Sequence, residues 1–349
     1  MRYVNSSSLR PGMVVADAIY DVMGNPLVNK GDVLQAKQIS YISFIGIQGL
    51  YIEEEDVGPV DMVDLIKPEI RKSAANIVEN FFAKTKFISL TELEEHIMAV
   101  VSTVVDEVLK NKDVMTNLVQ IRTYDQYTYY HSVDVGVLAG IIGAKYGLNE
   151  AALTDLVTAG FLHDIGKVFI SQDIINAPRA LNNEERIKMM EHPRLGYEYL
   201  IKKFHFSETI NRTVLEHHEW YNGLGYPNRR EGNGLLITSR ILKAADVYDA
   251  MTTKRPYHPP YLPSEVMEYI MGRSGMEFDP RVVEVMSKEL NVYPLGCHVE
   301  LSDGTKAVVV GHNSGMVLRP TVETIVDKRV IDLYHDRDAW NKTIVKMTI

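Results

Sequence analysis

Cysteine is almost absent: Cys297 stands alone in 349 residues, which excludes an internal disulfide framework and fits a reducing compartment. A basic excess is missing too. The formal net charge is -9, so the surface field repels polyanions, DNA is not an expected partner, and any phosphate ligand must be drawn in locally by metal ions or a few Lys and Arg side chains. Long apolar runs are also lacking. The longest, around Val135 to Ala144, falls far short of the roughly 18 residues a membrane-spanning helix needs. The opening MRYVNSSSLRPG has no charged-then-apolar signal pattern. Together these absences predict a cytoplasmic protein without a membrane partner. No low-complexity tract or internal repeat is evident, and a 46% apolar share is ample for a large folded core.

What is present divides the chain by pattern. Residues 1–58 read as a small α/β module of regulatory type. A strand is expected over Met13 to Ile19, a turn at Met23-Gly24-Asn25, a strand over Pro26 to Val28, a turn at Lys30-Gly31-Asp32, and a helix near Gln35 to Phe44. The acidic run Glu53-Glu54-Glu55-Asp56, followed by Gly58-Pro59, marks a boundary. Residues 59–95 form a helical linker, and 96–290 keep helical periodicity with few strand signals, so the main domain is all-α. Residues 291–349 change to short alternating runs, His298 to Leu301, Ala307 to Val310 and Met316 to Leu318, which predict a small β-rich extension. The fold class is mainly α, with an α/β module before the helical domain and a β appendage after it.

The histidines of the helical region occupy one kind of position. On the segment ending at His163, Leu156, Gly160, His163 and Asp164 share one helical face, so both polar residues continue a buried stripe. His131 lines up with Tyr127, Val135, Leu138 and Ile142, and His217 and His218 line up with Ile210 and Val214. Asp246 falls with Leu242, Asp249 and Ala250 in RILKAADVYDAM, and His192 precedes Pro193 where a new helix can begin. Singly, an inward histidine is more often a hydrogen-bonded core residue, and an inward aspartate a cap or an ion-pair partner. Together, five histidines and two aspartates would crowd one apolar interior with ionisable groups, a cost that metal binding resolves. Neighbours on a helix diverge by about 100°. His163-Asp164 and His217-His218 can therefore address two ions while a carboxylate bridges them.

The motifs HDIGK at His163, HHEWYNGLGYP at His217 to Pro227 and RILKAADVYDAMTTKRPY at Arg240 to Tyr257 resemble, in order and spacing, the HD-GYP branch of the HD-domain phosphohydrolases. Residues 1–60 and 291–349 also resemble modules found around such domains. The resemblance implies a helical bundle at residues 96–290 holding divalent ions, iron or manganese foremost and zinc as a further candidate. The implied reaction is hydrolysis of cyclic di-GMP, or a related cyclic dinucleotide, to linear pGpG or on to GMP. Carried over by position, the metal ligands are His131, His163, Asp164, His192, His217, His218 and Asp246, with Asp164 bridging. Lys167 and Arg255 match phosphate-contacting positions, and GGDEF-domain proteins are implied partners of the GYP loop.

The chemistry expected at such a site is attack of a metal-bridging hydroxide on the phosphodiester, with Lys167 and Arg255 stabilising charge on the phosphoryl oxygens. Gly166 serves either a close backbone passage by ligand or metal or a helix C-cap. The segment Trp220 to Pro227 either walls the pocket, with Tyr226 against a guanine, or is a turn whose Tyr226 packs on the domain. Asn222 replaces the family's usual Asp, and His258 a frequent Lys, so a substrate-binding charge is lost; a slow sensor that signals through partner proteins is the competing reading. Tyr127 stands where some relatives place a glutamate for a third ion, and Asp125 points to the opposite side of the helix. Two metals are therefore expected.

Overall fold

Segments from both ends of the chain build the first of two compact units, Met1–Asp64 with Met115–Gln126 and Ser287–Ile349; the second comprises Leu65–Val114 and Tyr127–Met286. A computed structural model describes residues 1–20, 26–45, 47, 49–53, 66–83, 89–111, 116–117, 128–253 and 260–348. In the first unit, strands β1 (Arg2–Asn5), β2 (Ile19–Tyr20) and β3 (Pro26–Val28), helix α1 (Ala36–Ile45) and strand β4 (Gly49–Ile52) follow in order. β1 pairs antiparallel with β4, from Arg2 opposite Ile52 to Asn5 opposite Gly49, and β2 pairs with β3. Val4, Val15, Val28, Ile42 and Leu50 close over a small core.

The strand expected over Met13 to Ile19 is mostly absent. Val14 and Val15 make single bridges, to Val33 and Ile52, and regular pairing begins only at Ile19. The long ladder of this module instead joins β1 to β4, across α1, where no local turn advertises the pairing.

Strands β5 (Thr116–Asn117) and β6 (Leu290–Asn291) pair in parallel. They are followed by β7 (His298–Leu301), β8 (Lys306–Gly311), β9 (Thr321–Thr324), β10 (Val330–Asp332) and β11 (Ile344–Thr348), an antiparallel sheet in the order β10-β9-β8-β7-β11. The expected runs at 298–301 and 307–310 lie in β7 and β8. Met316 to Leu318 is not a strand: Val317 is buried and donates its backbone N–H to the Ser287 carbonyl, anchoring a loop ahead of β9.

The second unit contains α2 (Pro68–Ala83), α3 (Leu90–Lys110), α4 (Thr128–Tyr146), α5 (Glu150–Leu162), short α6 (Gln172–Ile175), α7 (Asn183–Met189), α8 (His192–Lys203), α9 (Glu208–Glu216), α10 (Ile237–Thr252), α11 (Pro263–Gly272) and α12 (Pro280–Glu289). Their starts follow capping chemistry. Asn149 accepts the Ala152 N–H at 2.9 Å before α5, Ser207 accepts the Ile210 N–H at 3.1 Å before α9, and Pro193 occupies the first turn of α8.

Helix α4 is the hub, with Val133, Val135, Val137, Leu138 and Ile142 all buried. Each such side chain contributes about 1.5–3 kcal/mol of burial. Helices α4 and α5 touch backbone to backbone. A Cβ on Gly160 would lie 2.4 Å from the Gly136 Cα, so only glycine lets the helices cross closely enough to bring their polar ends, His131 and His163, together. None of the described helices is long and apolar enough to cross a membrane.

Candidate metal centre

Five elements deliver their polar residues to one place. His131 lies in the first turn of α4, His163 and Asp164 follow the last residue of α5, His192 opens α8, His217 and His218 follow α9, and Asp246 sits within α10. After Asp164 the chain tightens into a 3-10 turn, Ile165–Phe169, that carries Lys167. Gly166 in this turn fills neither role expected of it, a passage for ligand or metal or a helix C-cap. A Cβ there would lie 1.9 Å from the His192 carbonyl oxygen and 2.6 Å from the Gly196 nitrogen. The close passage is therefore to the backbone of α8, and glycine is what allows His192 to approach Asp164.

The imidazoles are oriented from behind. Nδ1 of His163 lies 2.7 Å from the Gly160 carbonyl, Nδ1 of His192 2.7 Å from Met189 O, and Nδ1 of His217 2.6 Å from Val214 O. A carbonyl only accepts, so each Nδ1 carries the hydrogen and each neutral ring turns an Nε2 lone pair inward. Those lone pairs converge. His192 Nε2 lies 3.2 Å from His217 Nε2 and 3.3 Å from Asp164 Oδ1. His163 Nε2 is 3.5 Å from Asp164 Oδ2 and 3.8 Å from Asp246 Oδ1. His131 Nε2 is 3.9 Å from Asp164 Oδ2 and 3.3 Å from Asp246 Oδ1.

Two donor groups result, His131 with His163 and Asp164, and His192 with His217 and His218, the donor atoms of each lying within 4.8 Å of one another. Asp164 turns Oδ2 to the first group and Oδ1 to the second. This donor set fits divalent cations. Facing lone pairs at 3.2 Å repel unless a cation lies between them, and His163 Nε2 is a buried acceptor with no hydrogen-bond donor.

The electrostatics divide along the same line. Burial disfavours charge on His131, but the hydrogen bonds it donates to the Asp246 and Asp249 carboxylates outweigh it and push its pKa up to about 10. Burial also opposes ionisation of Asp164 and Asp246. The charge of Lys167 on the first, and the hydrogen bond and charge of protonated His131 on the second, nevertheless hold both well below the usual carboxylate range. In the second group burial dominates. His192 is pushed down to about 4 despite Asp164, and His217 and His218 fall well below the ordinary histidine value, with neighbouring imidazoles adding to the effect. In the second group, neutral imidazoles facing an ionised Asp164 are the protonation states a metal requires, whereas His131 must give up its proton to bind one.

Lys167 places its Nζ 2.5 Å from Asp164 Oδ2, and its side chain remains 25% exposed, so a cation sits at the open edge of the cluster. Asp249 was not singled out as a site residue by sequence, although its helical face was recognised. Its Oδ2 lies 2.6 Å from His131 Nδ1 and takes the place that a backbone carbonyl takes for the other three rings. Its spacing of three residues from Asp246 on an inward face was the available signal.

Tyr226 stacks on the His218 ring, centroids 4.8 Å apart at 22°, and donates its backbone N–H to the His218 carbonyl at 3.3 Å. The ring is thus packed against a candidate metal ligand. Burial, with the Asp246 and Asp164 charges behind it, pushes the Tyr226 phenol up. Gly225 is held against the preceding segment, where a Cβ would lie 2.2 Å from the Trp220 nitrogen. Asn222 accepts the Leu224 N–H on its side-chain oxygen at 3.1 Å, a bond that the family's aspartate makes equally well. Arg255 and His258, with Tyr127 and Asp125, lie outside the described residues.

A helical domain whose consecutive helices converge histidines on a His-Asp pair defines a class. The chain belongs to the HD domain family, whose model matches residues 104–282. An HD domain implies divalent-metal binding. A cyclic di-GMP phosphodiesterase of Pseudomonas aeruginosa is 30% identical over 263 residues, 69% of this chain and 63% of that protein. A cyclic di-GMP phosphodiesterase response regulator of Xanthomonas campestris pv. campestris is 28% identical over 256 residues, 71% of this chain and 66% of the relative. A 3'3'-cGAMP-specific phosphodiesterase of Vibrio cholerae is 32% identical over 178 residues, 50% of this chain and 34% of that protein. The chain thus spans less than two thirds of the length of each of these relatives.

Proposed function

We propose that the protein is a metal-dependent phosphodiesterase that opens cyclic dinucleotides, cyclic di-GMP first among them, which it cleaves to linear pGpG or on to GMP. The observation that carries this reading is Asp164, one oxygen facing each of two histidine groups whose Nε2 atoms converge. His131, His163 and Asp246 would hold one divalent cation and His192, His217 and His218 the other, with Asp164 shared. Iron or manganese suits these nitrogen and oxygen donors, and zinc is the further candidate. Bound there, the pair supplies positive charge at the phosphodiester and a nucleophile available at neutral pH.

The chain's own residues do the rest. Carbonyls of Gly160, Met189 and Val214 fix three imidazoles in the tautomer that presents Nε2, and Asp249 fixes His131. Lys167 offers the ammonium for a phosphoryl oxygen at the open edge. Relatives named for cyclic di-GMP and for 3'3'-cGAMP support the substrate class. The test is incubation of anaerobically purified, metal-analysed protein with each dinucleotide, with products separated by chromatography. Linear product in proportion to metal content is expected; no cleavage of either by protein carrying two ions would overturn the reading.

A further inference from the structure

Glu216, the last residue of α9, is a carboxylate with no solvent exposure of its side chain. It accepts five hydrogen bonds. Oε1 receives Arg212 Nη2 at 2.8 Å, Arg212 Nε at 3.2 Å and Arg230 Nη1 at 3.3 Å. Oε2 receives the Ser239 hydroxyl at 2.8 Å and the Leu236 backbone N–H at 3.2 Å. These donors come from three places: one turn back on α9, the chain just beyond Tyr226-Pro227, and the start of α10. One side chain therefore ties the end of α9 to the return of the GYP loop and to the helix that carries Asp246.

Its neighbours in sequence are His217 and His218. No bond from Glu216 reaches α4, α5 or the 3-10 turn, which carry His131, His163 and Asp164. The docking of α9 on α10 does not depend on it alone, because Thr213 and Thr238 bond side chain to side chain at 2.6 Å and Val214 and Ile210 are buried beside them. Asp246 stands about two turns beyond Ser239 on α10, its Oδ1 3.3 Å from His131 Nε2, so what Glu216 adds is the placement of the last turn of α9 and of the two imidazoles that follow it.

Resting on the reading above, we propose that Glu216 is a positioning residue for one metal only: it aims His217 and His218 at His192 and leaves the His131–His163–Asp164 group untouched. Glu216→Gln keeps the volume but has a single acceptor oxygen. With that oxygen toward the two arginines, its amide N–H groups would face the Leu236 N–H, donor against donor. The end of α9 must then shift, and with it the Val214 carbonyl that lies 2.6 Å from His217 Nδ1; disturbing such a hydrogen bond behind a metal ligand costs about ten-fold or more in metal affinity.

The experiment titrates the metal-stripped full-length chain with Mn2+ and reads bound ions per chain and their affinities, alongside the melting temperature. For the wild type, two ions are expected. Glu216→Gln should keep one at wild-type affinity and hold the other about ten-fold more weakly. Adding it to His192→Ala should weaken binding no further, because both act on the same ion. Arg230→Ala, at a side chain 45% exposed, should fold normally and weaken the same ion by a smaller factor. It decides the matter if Glu216→Gln does not fold. A lower melting temperature with both affinities unchanged in Glu216→Gln, or unchanged affinities in a folded Arg230→Ala, overturns the positioning role. A wild type that binds no Mn2+ overturns the metal reading itself and this inference with it, and is distinguishable because the unsubstituted chain is already empty.

Discussion

At the scale of single residues, the site separates groups that would hold metal from one that would act on substrate. Lys167 approaches Asp164 from the exposed side and offers only N–H donors. Its removal takes away a competitor for the Asp164 oxygen, so Lys167→Ala should bind metal at least as tightly as the wild type. Cleavage of cyclic di-GMP should fall about a hundred-fold, as for loss of one oxyanion-stabilising donor. Elemental analysis and chromatographic assay on the same preparation check this, and parallel loss of metal and activity would make the lysine structural. His131, His163, His217 and His218 were legible because each continues an apolar stripe at helical spacing, and His192 because it precedes Pro193 at the start of a helix. Asp249 was less so, since an inward aspartate beside a second one reads equally as a cap or an ion-pair partner. Glu216 was not legible at all: apart from Arg212 its partners lie 14 to 23 residues away, and a glutamate at a helix end reads as solvated.

Among the elements, the approach of α8 to the 3-10 turn is the tightest fit described. Replacing glycine by alanine in a helical turn ordinarily gains about 0.5–1 kcal/mol from a stiffer unfolded chain. At Gly166 the new Cβ would stand 1.9 Å from the His192 carbonyl, and overpacking of this kind typically costs about 1–3 kcal/mol. Gly166→Ala should therefore lower the melting temperature and weaken metal binding together, because the backbone that must retreat belongs to His192. A melting temperature at or above wild type would refute the close approach. The helical elements of the second unit were readable from their periodicity and caps. The pairing of β1 with β4 was not, since Arg2 and Ile52 meet across an intervening helix. Nor was the loop at Met316 to Leu318 separable by pattern from a strand, because one buried valine satisfies both.

Across the whole molecule, the metal-free protein should have a stability optimum set by histidines of opposite tendency. His192, held at about 4 when folded against an ordinary 6.5, binds its proton more weakly in the folded state. Stability is therefore lost as pH falls from 6.5 toward 4, by roughly 3 kcal/mol for this group alone, and His217 and His218 act in the same direction. His131, raised to about 10, does the reverse. Its contribution is fully present below 6.5 and disappears as pH rises through 10. Melting curves in chelator should accordingly peak near pH 6.5 and fall on both sides, and His192→Ala should flatten the acid limb; an unchanged melting temperature between pH 6.5 and 4 would contradict the burial of these rings as neutral groups. The route of the chain has a consequence of another kind. It passes from one unit to the other four times, after Asp64, Val114, Gln126 and Met286. A protease that severs one of these passages leaves three covalent tethers, so a nicked molecule stays a single particle until it is denatured, and a gene fragment encoding residues 65–286 carries with it β5, a strand orphaned from its partner β6.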